Sequence, residues 1–416
     1  MANRHAHFSQ IDILKGMAII LVLFGHTFSY SVAQPQAIPA VATAAVAQSD
    51  NRESVQAQPD TSLPDRTAFG VNGIGAFLSS FTRWKTFSAL LTQQVVPIFL
   101  VLMALNFSLS YRRRGFTKLS EIYTKNEFVR RFRRFFVPFA ACFLASLCIG
   151  AFMFIVLNKN VISISVNDLP GFLPIDGPGN YFISLIFEFV FVFPLMYILY
   201  IRYPRFVLIG SFAAALAFEL IAPKTGLFTN ASALYTICII RFLPLLALGL
   251  WISNDWDLFS KRNLYIVLPG ILSMFYLVVV NQPERNFYFM GIFFSSYLES
   301  QNLFASFYPV LLVLAGMKYL PQYAEKWSSR LLSLLGNASY HIFLVQIIYF
   351  GVNVYLVTKY HGLTDLMTPS NILIILVNLT VCISLGLAFY YLDRLLFSGS
   401  GKKLYLRPLL RGHKLS

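Results

Sequence analysis

The stretch Ile11-Asp-Ile-Leu-Lys-Gly-Met-Ala-Ile-Ile-Leu-Val-Leu-Phe-Gly-His26 reads as an apolar helix long enough to enter a bilayer, yet it carries Asp12, Lys15 and His26. At about 100° per residue, the step from Lys15 to His26 returns to within roughly 20° of one face, and the step from Asp12 to within roughly 40°. With a rise of about 1.5 Å per residue, the three groups form a polar track some 15–20 Å long on one side of a membrane span. Ionisable side chains in hydrocarbon are costly, and by default they mark function.

The rest of the chain fits that reading. Residues are 57% hydrophobic and 12% charged, with 41 Phe and a mean hydropathy of +0.63, values typical of polytopic membrane proteins rather than soluble domains. Apolar stretches of near-bilayer length occur at 11–32, 89–110, 136–157, 181–201, 206–222, 233–252, 264–280, 302–320, 335–357 and 371–396. They predict an all-α polytopic bundle of about ten transmembrane helices, forming one membrane domain over 1–416. The segment 33–68, rich in Ala, Gln, Pro, Ser and Asp, has no apolar period and reads as a flexible extracytoplasmic loop. Its continuation to residue 88, with Gly70, Gly73 and Gly75, reads as a short interfacial or re-entrant piece.

Most Lys and Arg residues fall on one side if the N-terminus is cytoplasmic. They include Arg112–Arg114, Arg130, Arg131, Arg133 and Arg134, and the basic tail 397–416. The positive-inside rule then places both termini in the cytoplasm. A signal-peptide reading that cleaves near Ser31-Val32-Ala33 is disfavoured, because Asp12 and Lys15 adjoin the apolar core and cleavage would put the basic 111–135 segment outside. The net charge of +15 belongs to these flanks, which meet anionic membrane lipids, and does not imply nucleic-acid binding. Cys142, Cys148, Cys238 and Cys382 sit in apolar runs without metal-ligand spacing, so no metal site is expected.

His26 is the group best suited to proton transfer. An imidazole exchanges protons near neutral pH, and desolvation in a span favours its neutral form, which can act as a general base. The guanidinium groups at 130/131 and 133/134 recur at helical spacing and suit bidentate phosphate contacts, or else form a topogenic cap on the following span. Glu188, Glu219, Arg241 and Asp393 are the ionisable groups of later spans, and Glu188 and Arg241 serve either the substrate or the ordering of the bundle. Tyr340 and Gln346 place a hydroxyl and an amide in the ninth span; such groups commonly bond between helices. His341 has no partner legible in the sequence, and Asp393 reads as a surface residue near a helix end. No phosphate loop, dinucleotide fingerprint, Gly-x-Ser-x-Gly elbow or His-Glu-x-x-His occurs, so any site must be built from spans.

Five stretches taken in order resemble the acyltransferase-3 family of multipass membrane proteins. They are Asp12-Ile-Leu-Lys15 up to His26, Val96-Pro-Ile-Phe into Tyr111-Arg-Arg-Arg, Arg130-Arg-Phe-Arg-Arg to Pro138, Tyr181-Phe-Ile to Pro194, and Leu335-Gly-Asn-Ala-Ser-Tyr-His-Ile-Phe-Leu-Val-Gln346. The resemblance implies an acyl-CoA-dependent O-acyltransferase, most often an acetyltransferase, of the bacterial inner membrane. Its acceptor would be a cell-surface polysaccharide or a lipid-linked sugar precursor. It also implies that His26 is the catalytic base, with Asp12 as an orienting member of the same polar track, and that Lys15, Arg113, Arg130 and Arg133 engage the acyl-CoA. Glu188, Arg241, Tyr340 and Gln346 are then candidates for the acceptor side, with Tyr340 or Gln346 donating to the developing oxyanion. The chain departs from the family where Met103-Ala104 replaces a common Ser-Gly pair and Gln346 a common His. A secondary transporter or exporter is the alternative from another class, because buried ionisable tracks also carry substrates and protons. The two halves show no internal repeat that would favour it.

Overall fold

The computed structural model describes residues 9–32, 84–162, 172–225, 232–280, 301–356 and 369–397. Its principal helices are α1 (Ser9–Val32), α2 (Val95–Arg113), α3 (Lys125–Leu157), α4 (Tyr181–Arg202), α5 (Pro204–Ile221), α6 (Leu243–Ile252), α7 (Leu264–Val280), α8 (Phe307–Tyr319), α9 (Trp327–Leu356) and α10 (Pro369–Phe397). Eight apolar helical segments are long enough to cross a membrane, and α7 and α8 are shorter apolar helices at two of the expected positions. Among the described residues the only bridge between extended segments is Ile162 with Ile175, so the fold is an all-α membrane bundle. The expected loop at 33–68 and the tail beyond Phe397 lie outside the described residues, as does the 69–88 piece apart from the short helix Trp84–Leu90.

Local chemistry sets the helix ends. After α3, Asn158 adopts a left-handed conformation (φ 49°) and the Lys159 N–H closes on the Met153 carbonyl at 3.1 Å, which caps the helix. Pro204 stops α4 and opens α5 as its first residue. At the end of α2, Gly115 (φ 70°) turns the chain, and Glu121 accepts the Thr117 and Lys118 N–H groups at 2.8 and 3.1 Å. Those two donors hold the Glu121 carboxyl below its ordinary range.

The most extensive packing is between α1 and α9, and small residues make it possible. A β-carbon on Gly16 would overlap the Leu332 carbonyl oxygen, and one on Gly336 the Asp12 carbonyl oxygen, so the two backbones touch. Asp12 lies by Asn337 and His26 by Phe350, so the two helices run parallel, as crossings in alternate directions require. An aromatic cluster locks α2 to α4: Phe107 packs on Phe189 and Phe193 at centroid distances of 5.2 and 6.0 Å, and Tyr111 on Tyr197 at 4.9 Å. At the periphery, α3, α5 and α10 turn apolar side chains outward, with Ile155 79% and Ile209 71% exposed. These helices form the lipid-facing wall around α1, α2, α4 and α6.

Candidate active site

The start of α1, the end of α2, the start of α3 and the end of α10 converge on one face of the bundle, which the arginines make strongly basic. A vestibule of about 450 Å³ opens there, lined by Asp12, Lys15, Arg113, Arg114, Arg130, Arg131 and Arg134, with Asn106, Ser110, Tyr111 and Asn337 between them. Glu127 gathers three of the arginines: Arg114 at 2.6 Å, Arg130 in close contact and Arg131 at 3.6 Å. The Arg131 guanidinium lies over the Tyr111 ring, 4.6 Å from its centroid, a stacked geometry that lysine does not reproduce. Asp12 is buried, pairs with Lys15 at 3.7 Å and accepts a long hydrogen bond from Asn337 at 3.4 Å.

From the vestibule a second cavity of about 340 Å³ continues into the bundle. It shares Lys15, Asn106, Phe107, Arg134 and Asn337 with the vestibule, then runs between Phe99, Phe182, Ile186 and Phe343. Cations at the mouth and aromatic rings within suit a ligand with an anionic head and a less polar arm. His341 lines this cavity and bonds Asp393 across to α10 at 3.1 Å, so Asp393 is partnered within the bundle rather than free at the surface. This pair is not legible in the sequence because its members lie in different helices, far apart in the chain.

His26 stands about 16 Å further along α1 than Lys15, at roughly 1.5 Å per residue. Its ring is half-buried and makes no hydrogen bond among the described residues, and its edge faces Phe350 at 6.4 Å. The Asp176-Gly-Pro-Gly-Asn180 turn seats against it. Gly179 has φ +83°, and a β-carbon built there would lie 3.0 Å from Phe343 Cζ and 3.5 Å from His26 Nε2. Phe343 therefore touches both the cavity and the histidine's surroundings. Asn180 holds the turn by accepting the Leu173 N–H at 2.9 Å and donating to the Leu173 carbonyl at 3.2 Å. Gly177 packs onto the Ile347 carbonyl with no room for a β-carbon. A Gly-Pro-Gly directly before a span is the signal that the sequence reading passed over.

The other expected residues have definite places. Gln346 is fully buried and donates to the Pro178 carbonyl at 3.0 Å, so its amide fastens the turn. Tyr340 lines the second cavity, but its hydroxyl donates to the Phe135 carbonyl at 3.0 Å. Glu188 accepts the Ile239 N–H at 2.8 Å and orders the turn Ile239–Phe242. Arg241 is 1% exposed and lies over the Tyr235 ring at 4.2 Å. Neither Glu188 nor Arg241 lines the vestibule or its continuation. Arg133 opens onto a separate groove, whereas the other arginines expected at phosphates, Arg113, Arg130, Arg131 and Arg134, face the vestibule together with Arg114. The reason is helical: Arg131 and Arg133 are two residues apart, about 200° around the axis, and point to opposite sides of α3.

The profile of the acyltransferase-3 family, described as an acyltransferase domain, matches residues 8–389 and so covers nearly the whole chain. No curated protein and no solved structure matches it significantly. With its apolar helical bundle and a profile match from the start of α1 into α10, the chain belongs to the acyltransferase-3 family and is a multipass membrane acyltransferase.

Proposed function

We propose that the protein transfers an acyl group, most simply acetyl, from acyl-CoA to a hydroxyl of a cell-surface polysaccharide or its lipid-linked precursor. The basic face is cytoplasmic in this reading, in a bacterial inner membrane with both termini inside. Lys15, Arg113, Arg130, Arg131 and Arg134 meet the phosphates of the coenzyme, for which planar guanidinium groups are well suited. The arm carrying the thioester enters the aromatic cavity and approaches His26 past Phe343.

In the chemical step His26 takes the proton of the acceptor hydroxyl as its oxygen attacks the thioester carbonyl carbon. The tetrahedral intermediate then expels the coenzyme thiolate: the C–S bond breaks, the ester C–O bond remains, and the imidazolium returns its proton to the sulfur. Asp12 orients Lys15 at the donor end, and Gln346 contributes by holding the Gly-Pro-Gly turn against the histidine. Acceptor-side roles for Glu188 and Arg241 act through the turn at 239–242.

The observation that carries this reading is an imidazole with no hydrogen-bond partner among the described residues, on the same helix face as a cationic vestibule that continues toward it. The test uses purified protein in lipid nanodiscs with acetyl-CoA, followed by acetyl analysis of surface polysaccharide in cells. Wild type releases free coenzyme A in the presence of acceptor, and His26→Ala loses about 10²–10⁴-fold in turnover while keeping normal abundance. Full acetylation by a normally abundant His26→Ala protein overturns the assignment.

A further inference from the structure

Arg133 has no place in the vestibule, and the groove it lines is a second cationic site. The groove encloses about 570 Å³ at the seam of α3 and α10, and its basic groups are Lys125, Arg130, Arg133, Arg134 and Arg394. Its one carboxylate, Asp393, is engaged by His341 at 3.1 Å. Geometry separates it from the vestibule: on α3, Arg131 and Phe135 turn to the vestibule, Val129, Arg133 and Val137 turn to the groove, and Arg130 and Arg134 lie at the ridge between.

We propose that this groove binds the phosphate headgroup of an anionic phospholipid. Two features favour a lipid over a soluble phosphate. The groove lies on the lipid-facing wall, and the side chains around it are apolar and exposed: Val129 at 50% and Phe136 at 42% on α3, and Leu395 at 58% and Leu396 at 64% beside Arg394. A phospholipid places its acyl chains along that surface, whereas a free nucleotide leaves it unused. Arginines at headgroup depth attract anionic lipid, and several converging on one concavity make a site rather than a diffuse patch. Because Arg130 and Arg134 serve both spaces, the bound lipid also fixes the outer wall of the vestibule. The inference stands whether or not the protein uses acyl-CoA.

The experiment is native mass spectrometry of the full chain released from micelles equilibrated with equal phosphatidylcholine and phosphatidylglycerol. Wild type retains phosphatidylglycerol selectively. Lys125→Gln/Arg133→Gln, both at exposed positions, lowers that retention by roughly tenfold, and each single substitution lowers it by a smaller factor. Arg114→Gln, in the vestibule only, leaves it unchanged. Equal retention of the two lipids by wild type overturns the proposal, as does undiminished retention by the double and both single variants. Displacement of phosphatidylglycerol by coenzyme A, with weaker coenzyme A binding in the double variant, also overturns it and assigns the groove to a soluble phosphate ligand.

Discussion

Gly179 sits against His26 so closely that a β-carbon on the glycine would lie 3.5 Å from the imidazole Nε2. The same atom would be 3.0 Å from Phe343 Cζ, and the backbone there has φ +83°, where side chains are strained. Gly179→Ala should therefore reduce acyl transfer by at least about tenfold through displacement of the turn, with protein abundance near normal. Gly115→Ala is the control: it shares positive φ (70°) but meets nothing within 4 Å, so it should cost about 1 kcal/mol of stability and leave transfer intact. Comparable activity in the two variants would refute the role given to the turn.

Arg131 and Arg133 separate the two faces of α3. Arg131→Ala should raise the acyl-CoA KM by about tenfold, the loss expected for a hydrogen bond to a charged group. Arg133→Ala should leave that KM within about twofold, since its side chain opens onto the other groove. Steady-state kinetics in nanodiscs measure both, and a larger effect at Arg133 would reverse the assignment.

Lys15 lines both the vestibule and its continuation. Lys15→Ala is expected to raise the acyl-CoA requirement about tenfold while kcat at saturating donor changes little, the signature of lost uniform binding. A fall in kcat alone would place Lys15 in the chemical step instead.

Gly336→Ala tests the seam of α1 and α9. The added methyl overlaps the Asp12 carbonyl, so the helices must move apart, at a cost of about 1–3 kcal/mol and with a lower thermal midpoint in detergent. Gly210→Ala on α5 meets nothing within 4 Å and should be neutral or stabilise by up to about 1 kcal/mol. Equal midpoints for the two variants would contradict backbone contact at the seam.

Gln346→Leu removes the donor to the Pro178 carbonyl and leaves that oxygen unsatisfied. The expected cost is about 1–3 kcal/mol, read as faster proteolysis near residues 172–180 and reduced transfer. Unchanged proteolysis and activity would show that Asn180 alone holds the turn.

The sequence by itself determined the fold class and the polar track. Hydrophobic runs of bilayer length and basic flanks are local properties, and a helix of fixed pitch aligns Asp12, Lys15 and His26 whatever surrounds it. Local periodicity also made the pairing of arginines on α3 legible, but not which of them face inward, because that depends on where α1, α2 and α10 lie around the helix. Tertiary structure alone brought His341 to Asp393, committed Gln346 and Tyr340 to backbone carbonyls, kept Glu188 and Arg241 away from the vestibule, and seated Gly179 on His26. Each of these contacts joins residues from different helices, and in a bundle such contacts follow from helix rotation and crossing, which side-chain packing over the whole interface sets and no short stretch of sequence encodes.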